Sequence, residues 1–116
     1  MTILDLSYLV EITDGEPGVM TEMIQLVVDE TPRQLEDIRS SIEQEQWEKV
    51  RAEAHKVKPI FLYVGLNELN QKMQEIEEQA GGSKDLNTVK TLIGEIEETF
   101  NEILPQLIKR MEDISG

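Results

Sequence analysis

Cysteine is absent from this chain and histidine occurs once. Without cysteine there is no disulfide framework, no thiolate metal site and no cysteine nucleophile, a usage that fits a reducing compartment. One imidazole among scattered carboxylates does not supply the three or four ligands of a zinc site, so neither a metal nor another cofactor is expected. No apolar run approaches the roughly 18 residues of a membrane span. The opening stretch MTILDLSYLVEITDGEPG mixes acidic with apolar residues and lacks the basic start and small-residue cleavage site of a signal peptide, so a cytoplasmic chain is expected. Cations are also scarce. Lys and Arg number 11 against 24 Asp and Glu, and the formal charge of -13 repels a nucleic-acid backbone and an anionic membrane alike, so neither is an expected partner.

What remains is rich in Glu, Gln, Leu, Ile, Met and Lys, with apolar residues recurring at three and four and no β-type alternation, so the class is all-α. With 116 residues, no internal repeat and no linker, one domain over 1–116 is expected. A short helix is predicted over Leu6–Ile12, ending in the turn signal Thr13 to Gly18. A long second helix follows, with Val19, Met23, Ile24, Val27, Leu35, Ile38 and Ile42 on its stripe, and Thr31-Pro32 should bend or divide it. The third, from about Gln46 to Tyr63, buries Trp47, Val50, Ala54, Val57, Phe61 and Val64. The fourth, from Leu66 to about Ala80, is closed by Gly81-Gly82-Ser83. The fifth runs from near Asp85 to about Met111, with a kink expected at Pro105. Four such helices on short connections pack most economically as an antiparallel four-helix bundle, with the short first helix capping one end.

The window from Lys49 to Lys58 departs from the acidic trend, holding Lys49, Arg51, Lys56 and Lys58 against Glu53 alone, and it contains His55. At 100° per residue His55 falls about 130° from the centre of the buried stripe, so it faces solvent. Arg51, Ala52, Pro59, Leu62 and Tyr63 share that outer face, with Lys58 on its flank one turn on. The face is apolar for an exposed one, which suits contact with a partner. Pro59 lacks the N–H that would bond the carbonyl of His55. It reads equally as a kink that fits the helix around the bundle or as local geometry kept for the histidine. No Ser or Cys is placed for activation as in a hydrolytic triad. A solitary exposed imidazole can instead carry a group, being a good nucleophile near neutral pH.

The stretch His55-Lys56-Val57-Lys58-Pro59-Ile60-Phe61-Leu62-Tyr63-Val64-Gly65-Leu66 resembles the signature of histidine-containing phosphotransfer domains: a His after Ala, a Lys three residues on, and a Gly ten residues after the His, followed by an apolar residue. The resemblance extends over Ile12 to Gly15 with the long helix after it, over Leu35 to Trp47, and over Leu69 to Glu77. It implies an antiparallel four-helix bundle that relays a phosphoryl group between receiver-domain aspartates. His55 would be the phosphoacceptor, Lys58 would orient the phosphoryl oxygens, and Gly65 would permit the close turn. Arg51, Ala52, Lys56, Pro59, Leu62 and Tyr63 would meet the partner, a response-regulator receiver domain or that of a hybrid histidine kinase. Pro59 replaces the usual Gly, and Ile60 and Phe61 stand where small hydroxyl residues are common. With no Gly-rich nucleotide loop and no βα alternation, the chain is not expected to be an enzyme, and the acceptor aspartate with its magnesium belongs to the partner. The alternative is an acidic helical adaptor that binds receiver domains without transferring phosphate.

Overall fold

In the computed structural model, which describes residues 4–116, the chain forms five α-helices and, among the described residues, no strand. Helix α1 spans Ser7–Thr13 and α2 Pro17–Glu43; α3 follows over Trp47–Tyr63, α4 over Asn67–Gly81, and α5 over Leu86–Ser115. Asp5 lies one residue before the N-cap of the first of these, Leu6, its carboxylate accepting from the backbone N–H of Ser7 at 2.9 Å and from the Ser7 hydroxyl at 2.6 Å. Those two bonds hold its carboxyl below the usual aspartate range. Pro17 occupies the first turn of α2, where its missing N–H has no helical acceptor to lose. The expected turn therefore closes before Pro17. The last helix opens on Asp85, whose side chain accepts from the N–H of Thr88 at 3.2 Å.

Three helices carry an internal proline and none is divided by it: α2 runs through Pro32, α3 through Pro59 and α5 through Pro105. A mid-helix proline costs about 3 kcal/mol relative to alanine, whereas each fully buried aliphatic side chain contributes about 1.5–3 kcal/mol. Around Pro32 the stripe Met20, Ile24, Val27, Leu35, Ile38 and Ile42 is buried without interruption. Packing on both sides of the proline outweighs its local cost.

That stripe corrects the expected one at its first turn. Val19 is exposed and Met23 half-buried, while Met20 takes the buried place, because the spacing 20, 24, 27, 31 keeps one face and position 19 lies off it. Trp47 is likewise only half-buried, at the first turn of α3, and Leu66 is buried but precedes α4 as its N-cap residue. Helix α5 continues four residues past Met111. Each of α2 to α5 packs on two of the others, α2 on α3 and α5, and α4 on α3 and α5, while α1 touches α2 and α3. Phe61 and Phe100 meet across the core with ring centroids 6.3 Å apart.

One glycine is fixed by a close approach. Gly65, between α3 and α4, has φ +75°, and a Cβ there would lie 1.8 Å from the carbonyl oxygen of Asp5. The segment leading into α1 thus lies directly on the turn that ends the histidine helix. On either side of Asp5, Leu4 and Leu6 are buried in the core. The first helix is also tied to α3 by Tyr8, whose ring stacks on that of Tyr63 with centroids 6.5 Å apart.

Candidate functional site

His55 lies in the third turn of α3, its side chain 72 % exposed, as its place on the wheel requires. Its Nδ1 lies 2.9 Å from Oε2 of Glu77 on α4. The other carboxylate oxygen of Glu77 accepts from Lys58 Nζ, also at 2.9 Å, and the same ammonium donates to Oε1 of Gln74. One carboxylate therefore joins the imidazole and the ammonium. Its side chain is only 17 % exposed. Burial pushes the Glu77 carboxyl up, but the hydrogen bonds from Lys58 and His55 and the positive charges behind them more than offset this, so its pKa lies below the ordinary glutamate value.

An ionised carboxylate can only accept, so His55 Nδ1 carries the proton that Glu77 receives. In the neutral ring, a proton kept on Nδ1 by this contact leaves the electron pair on Nε2. Lys58 also differs from a flexible surface lysine. Its side chain is 21 % exposed and two of its three N–H bonds are engaged on α4. Its backbone carbonyl accepts from Asn70 Nδ2 at 2.8 Å, which pins α3 to α4 one residue before Pro59.

Arg51, His55 and Lys58 fall at i, i+4 and i+7, so they form one row along the seam with α4. Facing them is a second row of Gln74, Glu77 or Glu78, and Gly81. A cavity of about 460 Å³ opens where Glu48, Arg51, Ala52, His55 and Glu77 meet. Ala52, Lys56 and Pro59 are exposed, and Leu62 is 39 % exposed. Tyr63 is half-buried against Tyr8 and turns to the opposite flank of α3, where with Ile60 it borders an apolar groove against Met23 and Leu26. The expected outer face is thus present, with Tyr63 at its edge.

The partners on α4 are absent from the sequence reading. Glu77, Gln74 and Asn70 occupy positions 70, 74 and 77, a polar row beside the buried stripe Leu69, Met73 and Ile76. That spacing is the available signal, although it does not say which α3 residue each one meets. Among the described residues no helix is long and apolar enough to cross a membrane. No curated protein and no solved structure matches the chain. The family model described as "Hpt domain" matches residues 22–113. That span holds the whole row on α3 and its partners on α4, and covers well over half of the chain: this protein belongs to the Hpt domain family, the helical phosphocarriers of histidine–aspartate phosphorelays.

Proposed function

We propose that His55 is the phosphoacceptor, taking a phosphoryl group from the aspartate of one receiver domain and delivering it to another. The observation that supports this reading is the Glu77 contact on an exposed imidazole: a neutral ring that donates from Nδ1 to Glu77 keeps its electron pair on Nε2 for attack. In the forward step the Nε2 electron pair forms the N–P bond while the P–O bond to the receiver aspartate breaks and its electrons return to that carboxylate. The proton stays on Nδ1, so the ring becomes cationic and its bond to Glu77 becomes an ionic one. The reverse step, on a second receiver, restores the neutral imidazole. The chain contributes position and charge, with no nucleotide chemistry of its own.

Lys58 orients the phosphoryl oxygens with the N–H that Glu77 and Gln74 leave free. Arg51, Ala52, Lys56, Pro59, Leu62 and Tyr63 receive the partner, Ala52 and Pro59 being slim enough to let it approach the imidazole. In this reading the frame is one domain, an antiparallel four-helix bundle closed at one end by α1, working in the cytoplasm. Gly65 keeps the turn after α3 tight beneath the N-terminal segment.

Incubation with a radiolabelled phosphorylated receiver domain tests this. Acid-labile, base-stable phosphate is expected on the wild type and none on His55→Gln, with the two melting within about 0.5 kcal/mol of each other because an exposed residue is changed. Equal labelling of the variant moves the acceptor elsewhere. Receiver binding without any labelling of the wild type makes the protein an adaptor.

A further inference from the structure

Of the four cations around His55, two are engaged. Lys49 Nζ lies 3.8 Å from Glu53, and Lys58 is held by Glu77 and Gln74. Lys56 lies about 100° around the helix from His55, off the seam. Arg51 is one turn before His55 on the same row and borders the same cavity, and among the described residues it makes no ion pair or side-chain hydrogen bond. Its guanidinium stem rests over Gly81, where an added Cβ would stand 3.5 Å from Nε.

A phosphoryl group on Nε2 would bring up to two negative charges into a place already bordered by Glu48, Glu77 and Glu78, on a chain of net charge -13. Lys58 offers it one free N–H and a charge that Glu77 already balances. Arg51 offers five uncommitted N–H groups in a planar fork that matches two phosphoryl oxygens. We propose that Arg51 is a second phosphoryl-binding residue, whose guanidinium closes on the phosphoryl group of phosphorylated His55 and stabilises the loaded carrier. This rests on His55 being the acceptor and gives Arg51 a role beyond meeting the partner.

The two roles separate thermodynamically. The equilibrium between phosphorylated receiver plus free carrier and free receiver plus phosphorylated carrier contains no complex, so docking affinity does not enter it. The test measures that ratio with catalytic amounts of complex, for wild type, Arg51→Ala, Arg51→Lys and Lys90→Ala, an exposed α5 lysine that gives the same charge change away from the site. Losing a charge-assisted fork at a solvent-facing site should move the ratio toward the receiver by about fivefold in Arg51→Ala and less in Arg51→Lys. Lys90→Ala should leave it within twofold. A ratio unchanged in Arg51→Ala overturns the proposal even if receiver binding weakens, and an equal shift in Lys90→Ala reduces the effect to general charge and overturns it too. If the wild type takes no phosphate from a receiver that it binds, the acceptor reading itself fails and this proposal falls with it.

Discussion

Replacing Glu77 by glutamine should harm transfer more than replacing it by alanine. Glu77 presents two acceptor oxygens, one to His55 Nδ1 and one to Lys58 Nζ. A glutamine has one acceptor and one donor end. Lys58, an ion with a half-buried side chain, takes the oxygen. The amide NH₂ then faces Nδ1 and stabilises the tautomer with the proton on Nε2, which has no electron pair for phosphorus. The wrong-way hydrogen bond costs about 1 kcal/mol, and loss of the ionic bond that forms as the ring becomes cationic costs about 1 kcal/mol more. Two such terms make about thirtyfold in rate, and the exposure of His55 reduces this to about tenfold. Alanine removes the acceptor without supplying a donor, so about threefold is expected for it. Single-turnover quench of label from a saturating receiver gives the rates, and imidazole nitrogen chemical shifts give the tautomer. Glu77→Gln transferring within twofold of wild type, or faster than Glu77→Ala, would refute the steering argument. Stability has its own pH signature. Because the folded carboxyl titrates below its ordinary value, its contribution is fully present above the unfolded pKa of roughly 4.3 and is lost as pH falls through the folded one. The melting difference between wild type and Glu77→Gln should therefore be present at pH 7 and vanish on acidification.

Lys58→Ala should slow phosphate uptake by about fivefold without abolishing it, since one charge-assisted contact to the phosphoryl oxygens is lost at a partly screened site. Identical single-turnover rates with several receivers would leave Lys58 as a structural link to α4 only. Gly65→Ala should destabilise the fold by about 2–4 kcal/mol, combining left-handed strain of about 1–2 kcal/mol with displacement of the segment that carries buried Leu4 and Leu6. Urea unfolding reads this, and a loss under 0.5 kcal/mol would show that the segment yields freely.

The helices and the exposure of His55 are legible in the sequence because each depends on one element. Apolar spacing fixes a buried stripe, and the histidine's angle to that stripe follows by arithmetic. Glu77 is not legible in this way. Which α4 residue reaches His55 depends on the rotation and offset of α4 against α3, set by how Val57, Phe61, Met73 and Ile76 interlock in the core. Pro32 is a related case: a local rule allows the helix to be divided there, while burial on both sides of it keeps α2 continuous. Gly65 reads as a turn from sequence. That Asp5 lies upon it is a contact over sixty positions, beyond the reach of local pattern.

Pro59 joins these two levels. Its missing N–H removes the intrahelical partner of the His55 carbonyl, which by itself would loosen α3 at the residue that has to be held most firmly. The structure offsets this from outside the helix. Asn70 donates to the carbonyl of Lys58, the residue before the proline, and Lys58 and His55 are both fastened to Glu77. The imidazole is thereby tied to α4 as well as carried by α3. A helix fixed in this way can accept a proline on its outer face, and the proline in turn leaves that face without a long side chain one turn from Nε2. In the proposed relay, rigidity supplied from the inner flank and access kept open on the outer one would serve a carrier whose two partners reach the same atom.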